Sequence, residues 1–200
     1  MMFGASMAKR PHNDWKELAT HWAPNHRPHA GHFSWETDRP VAEAGVLKEF
    51  EEALAIDGQE FFSQVRHRGP GNDPPDCEAI NNTGARIGIE ITELVDPASA
   101  AAARAGKAYD WKDWKPDLIP TLDRIIRLKD SPAALKDPPY SEYVLLVHTD
   151  EPWMELDHTR QSLADHIFPA TSLITKAYLL ISYDPGEKRY PYIRLNIGNT

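Results

Sequence analysis

The spacing of apolar residues changes period several times along this chain, and each change predicts an element. Between Val41 and Ala55, the residues Val46, Phe50, Ala53 and Leu54 recur at intervals of three and four, the mark of a helix with one buried face. Pro40 suits its first turn, and Asp57-Gly58 ends it. Glu60 to His67 then reads as a strand, followed by the turn-rich segment Gly69 to Pro75. Two further strands, Asp76 to Ile80 and Arg86 to Leu94, flank Asn81-Asn82-Thr83-Gly84, a hairpin loop. Helical patterns follow over Ala98–Lys107, Pro120–Lys129 and Asp157–Phe168, with strands predicted at Tyr143–Thr149, Ala177–Tyr183 and Tyr192–Ile197. Strand hairpins mixed with helices point to an α/β fold, a three-layer α/β/α sandwich around a central mixed sheet. Residues 1–40, rich in His, Pro and Trp, lack sustained periodicity apart from a short helix over Asp14 to His21, and read as an N-terminal extension to a domain spanning 41–200.

Composition narrows the class only a little. The chain has 200 residues, 41% hydrophobic and 26% charged, as in ordinary globular proteins. No window approaches eighteen consecutive apolar residues, so no membrane partner is expected. The opening Met1 to Arg10 lacks a charged stretch ahead of an apolar one, which argues against a secretory leader and for a cytoplasmic protein. Cys77, the single cysteine, can form neither an internal disulfide nor a thiolate zinc site. Residues 41–98 hold 12 acidic against 4 basic side chains, an excess equal to the net charge of −8 for the whole chain. Any polyanionic partner must therefore contend with a strongly acidic segment.

The segment that matters most for chemistry is Asp73 to Leu94, DPPDCEAINNTGARIGIEITEL. Side chains alternate along a strand, so Gly88, Glu90 and Thr92 share one face while Ile87, Ile89 and Ile91 share the other. A carboxylate on such a strand is costly to desolvate unless it is protonated, paired or bound to metal. Asp76, directly after Pro75, lies fourteen positions before Glu90. Two strand-borne carboxylates at one sheet edge suit Mg²⁺, which takes one or two carboxylates and keeps several waters.

This run resembles the core motif of the PD-(D/E)xK nuclease superfamily, the restriction-endonuclease-like fold, with Asp76 and Glu90 as its two acids. The helix and strand that follow extend the resemblance over roughly 45–150. The motif lysine, two residues past the second acid, is replaced by Thr92. The resemblance implies a nuclease that hydrolyses phosphodiester bonds of nucleic acid, DNA by default, with Mg²⁺ or Mn²⁺ held by Asp76, Glu90 and a backbone carbonyl near Ile91. Some members supply the lysine from the following helix, and Lys129, three and four positions beyond Ile126 and Ile125, shares the face turned to the sheet. An acid on the first helix often faces the metal in this superfamily, and Glu49, flanking the apolar stripe, is the residue chosen for it. Glu78, two residues after Asp76, is an auxiliary candidate.

Other readings remain open. Loss of the motif lysine fits a catalytically silent binding or scaffolding protein on the same fold. Asp76 and Glu90 could also serve as acid and base of another hydrolase, such as a glycosidase. His26, His29 and His32, with His12 and His21 upstream, could bind a transition metal, although Pro28 opposes the helix that would align them. His148, just after an apolar strand, is a further candidate neighbour of the site. No P-loop, dinucleotide fingerprint or Gly-x-Ser-x-Gly elbow is present, and a homodimer is compatible with the sequence.

Overall fold

A computed structural model describes residues 39–69 and 71–198. All but the last two residues of the expected 1–40 extension, with its short helix and its five histidines, lie outside the described residues. Helix α1 spans Arg39–Ile56. Three strands follow, β1 (Phe62–His67), β2 (Cys77–Asn81) and β3 (Arg86–Glu93). Next come helices α2 (Pro97–Arg104) and α3 (Leu118–Lys129), then strand β4 (Glu142–Thr149). Helix α4 (Leu156–Leu163) leads to β5 (Ile167–Phe168), β6 (Lys176–Ile181) and β7 (Tyr192–Ile197).

The strands form a mixed sheet in the order β1-β2-β3-β4-β6-β7-β5. The first three make an antiparallel meander, while β3, β4 and β6 run parallel. Central parallel strands are covered on both sides, which is why β4 reads as an unbroken apolar run rather than as an alternation. Val144 and Leu146 face one way, into a core with Val46, Leu47, Phe50 and Leu54 of α1. Tyr143, Leu145 and Val147 face the other, packed with Leu118, Leu122, Ile125 and Ile126 of α3. The fold is thus α/β, with a seven-stranded mixed sheet among the described residues and a helix-covered core on each face.

The hairpin between β2 and β3 turns as expected. The Asn81 side-chain oxygen accepts the backbone N–H of Thr83 and of Ala85, and Gly84 adopts a φ of +83° that a side chain would disfavour. One boundary departs from expectation. The helix expected to reach Phe168 stops at Leu163, and Ile167-Phe168 pair instead with Asn196 and Ile197 of β7. Leu163 and Phe168 are both buried. Five residues apart on a helix they would point about 140° from each other, so the chain must leave the helix to bury both.

Glu78, the auxiliary candidate, proves to be a tie between strands. Its carboxylate accepts hydrogen bonds from Arg66 on β1 at 2.7 Å, from Tyr140 at 2.9 Å and from Arg86 on β3, with Arg68 Nε at 3.3 Å. Burial pushes the Glu78 carboxyl up, but the bonds from Arg86, Arg66 and Tyr140 together outweigh it and hold the pKa down at about 2. A folded-state value below the usual 4.5 stabilises the fold fully above that pH, and the contribution is lost as pH falls through about 2. Glu78→Gln should therefore cost about 3 kcal/mol at pH 7, the lower end of the range for breaking one partner of a buried ion pair. The gap to wild type in urea unfolding should close as pH falls from 4.5 toward 2; a gap independent of pH would show that the charge of Glu78 contributes nothing.

Candidate active site

Cys77 pairs with Ile89 across the β2–β3 ladder, so one step further out Asp76 comes opposite Glu90. The charges of both Asp76 and Glu90 act on the Tyr143 hydroxyl and on the Cys77 thiol, which puts the two acids in one neighbourhood. Asp76 is 3% and Glu90 5% exposed. Two buried carboxylates this close are tolerated only if hydrogen bonds or opposite charge compensate them. Each has such partners. The backbone N–H of Ile91 donates to Asp76 Oδ2 at 2.8 Å. Lys129 Nζ donates to Glu90 Oε1 at 2.6 Å, and the Tyr143 hydroxyl to Glu90 Oε2 at 3.2 Å. Burial, then the Glu90 charge and hydrogen bond, then the Asp76 charge all push the Tyr143 hydroxyl pKa up, which keeps it a proton donor.

Lys129 reaches this point because α3 is fixed at its C-terminal end. Leu122, Ile125 and Ile126 bury the stripe that leads to it. The next residue, Asp130, accepts the backbone N–H groups of Ser172, Leu173 and Ile174 and the Ser172 hydroxyl. Burial raises the Asp130 pKa, but these bonds outweigh it and hold the carboxyl below its usual range. The helix end is thereby pinned to the loop before β6, and Lys129 has a fixed starting point from which to span to Glu90.

The acid that α1 turns to the site is Glu43, not Glu49. Glu43 is 8% exposed and lines a cavity of about 280 Å³ with Pro40, His67, Gly69, Gly71, Asp73 and Asp76. Its Oε2 accepts a hydrogen bond from His67 Nε2 at 2.7 Å. Glu49, six residues on, points about 120° away around the helix. Its carboxyl is raised by partial burial and by Glu52, against Lys48, and its charge acts on Tyr190. The crowding of carboxylates near Asp76 registers on Cys77, whose thiol is pushed up to about 12 by burial and by the charges of Asp76, Glu43, Glu51 and Glu90. That cysteine is a neutral, buried core residue rather than a nucleophile.

Asp76, Glu90 and Lys129 are thus brought together, and the N–H of Ile91 meets Asp76. A strand residue directs its N–H and C=O to the same neighbour, so the Ile91 carbonyl looks to the same edge. His148 pairs with Glu93, three places past Leu145, the β4 partner of Glu90. Glu43, His67 and Tyr143 were not singled out from the sequence. Glu43 did carry a signal, lying four residues before Leu47 and seven before Phe50 on the buried stripe. Among the described residues no three His, Cys, Asp or Glu side chains converge as a ready metal cage. Comparison with protein-family models, curated proteins and solved structures gives no match.

Gly88 holds the arrangement in register. It pairs with Tyr143, and a Cβ placed on it would lie 3.0 Å from both the Tyr143 ring and the Pro75 ring. Gly88→Ala must push apart the two rings that flank the carboxylates. The expected loss is about 1–3 kcal/mol, the usual range for overpacking, read as a lowered midpoint in thermal or urea unfolding. Unchanged stability would mean that Pro75 and Tyr143 move aside freely and do not position the site.

Proposed function

We propose that this protein is a metal-dependent nuclease that hydrolyses phosphodiester bonds of nucleic acid, with DNA as the default substrate and Mg²⁺ or Mn²⁺ as cofactor. The observation that carries this reading is the opposed buried pair Asp76 and Glu90 with Lys129 at 2.6 Å from Glu90. The order α1, β1–β3, α3, β4, with the acids on the β2–β3 hairpin, supports reading the fold as restriction-endonuclease-like. The donor set suits a hard cation: Asp76 and Glu90 would hold it, with the Ile91 carbonyl at the same edge and Glu43 across the cavity. A bound Mg²⁺ or Mn²⁺ polarises a phosphoryl oxygen and lowers the pKa of a bound water. Lys129 places an ammonium where negative charge grows on the phosphate, the role left vacant by Thr92. Among the described residues the cavity wall contributes Glu43, Asp73 and Asp76 but no Lys or Arg side chain, so binding of a polyanion there would depend on the metal.

One observation favours a second reading, a silent binding or scaffolding protein on this fold. The Lys129–Glu90 pair already compensates the carboxylate without a metal. The two readings differ in a cleavage assay on DNA and RNA with Mg²⁺ or Mn²⁺. On the nuclease reading, wild type cleaves, Glu90→Gln abolishes cleavage, and Lys129→Ala lowers turnover about 10²–10³-fold with little change in substrate binding, as for loss of one transition-state donor. Cleavage equal in wild type and Glu90→Gln would overturn the nuclease reading. Nucleic-acid binding without cleavage at any metal concentration would favour the silent protein.

A further inference from the structure

Three of the four basic side chains in the acidic stretch 41–98 converge on one carboxylate. Arg66, Arg68 and Arg86 all reach Glu78. Arg68 is also paired with Asp137, and Lys136 donates to the Gly71 carbonyl at 2.7 Å rather than to an acid. Within this cluster four cations meet two carboxylates, an excess of two positive charges. The excess is not buried. The Arg68 side chain is only 4% exposed and belongs to the fold, but that of Arg66 is 74% exposed and Lys136 is exposed too. Arg66 gives one hydrogen bond to Glu78, at 2.7 Å, and the rest of its donor fork faces solvent.

The position of the cluster gives the excess a use. Arg66 and Gly88 are the register partners of Glu78, so the three share a face of the sheet. Asp76 precedes Glu78 by two residues and Glu90 follows Gly88 by two, which puts the acid pair on that face one strand period away, about 7 Å. On the other flank Gly71 lines the acidic cavity, so the ammonium bonded to its carbonyl stands at the cavity rim. A nucleic-acid strand that presents one phosphate to the acid pair carries its next phosphates past these cations. We infer that Arg66 and Lys136 form a phosphate-binding strip that holds the nucleic-acid backbone beside the Asp76–Glu90 pair, independently of base sequence. The inference takes its ligand from the nuclease reading above, and it says how a chain of net charge −8 meets a polyanion: cations are gathered next to the acidic site instead of being spread over the surface. Glu78 is the anchor, holding the Arg66 guanidinium in place while neutralising less charge than the cluster carries.

The test is fluorescence polarisation of labelled DNA oligonucleotides of unrelated sequence with the full chain, in chelator so that nothing is cleaved, over a series of salt concentrations from low upward. Arg66→Ala and Lys136→Ala should each weaken binding alike on every sequence and lower the slope of log affinity against log salt by about 1. Arg66→Lys keeps the charge and should keep the wild-type slope. Lys48→Ala removes one exposed charge from α1, which packs on the opposite face of the sheet, and should leave the slope unchanged. In the Mg²⁺ cleavage assay the double variant should raise KM with kcat unchanged, because contacts away from the cleaved bond bind ground and transition states equally. The inference is overturned if wild type binds no oligonucleotide at low salt, if Arg66→Ala and Lys136→Ala keep the wild-type slope, or if Lys48→Ala lowers it as much as they do. Failure of the underlying reading looks different: slopes change as stated but no metal supports cleavage, and the strip then belongs to a silent nucleic-acid-binding protein. Cleavage with unchanged slopes keeps the nuclease and removes the strip.

Discussion

Two carboxylates placed side by side on a covered face of a sheet repel each other and forfeit much of their hydration, and the surroundings of Asp76 and Glu90 are organised by that cost. The Ile91 N–H, the Tyr143 hydroxyl and the Lys129 ammonium are each directed at one of the two acids. Each depends on something further away. The Ile91 amide is available because β2 begins only at Cys77, and Tyr143 fits because its register partner is Gly88. Lys129 is in place because Asp130 secures the end of α3 to residues 172–174. Substituting any of these alters the environment of the carboxylate pair, whether or not the substituted residue touches it.

How the charge is compensated differs among the buried acids of this chain. Glu78 faces guanidinium groups, which stay ionised and bind carboxylates in fixed fork geometry, so its charge is spent within the fold. Glu90 faces one ammonium on a flexible stem, 31% exposed, which can move without unfolding anything. Glu43 lines the cavity with Asp76 and is hydrogen-bonded to the His67 ring. The cavity of about 280 Å³ is walled, among the described residues, by Glu43, Asp73 and Asp76, so acidic side chains concentrate on it.

Much of this was legible in the sequence because it is local. Glu90 stands out as the only acid within an alternating run of isoleucines, and strand periodicity alone assigns its face. Lys129 follows from helical periodicity in the same way, since Ile125 and Ile126 fix which side of α3 meets the sheet. Glu49 was chosen by its distance to the apolar stripe, whereas the α1 acid that lines the cavity belongs to the stripe itself. Glu43 continues the Leu47–Phe50–Leu54 row, and a carboxylate inside such a row is buried with its neighbours. Tyr143 and His67 were not legible, because their relation to Glu90 and Glu43 depends on register between strands far apart in the chain. The Gly88–Tyr143 pairing exists only once α2 and α3 have carried the chain across to lay β4 parallel to β3. The short β5 was missed for the same reason: two residues pair with a strand some thirty positions later, and no local pattern announces it.

The position of Lys129 also bears on how two acids can be buried together at all. If Asp76 and Glu90 required a metal in order to be buried, the core around Gly88 and Tyr143 could close only after the metal arrived. An ammonium already supplied by α3 lets the sheet and its helix pack first, because the ion pair offsets part of the repulsion and desolvation at the moment of burial. On the proposed reading, Asp76 and Glu90 would hold the divalent cation and Lys129 would be free to turn toward the phosphate. The stand-in must be weak enough to yield, and a lysine meets that condition better than the arginine fork that holds Glu78. The chain places Arg at Glu78, whose partners all lie within the fold, and Lys at Glu90, the acid that the proposed reading asks to change partner.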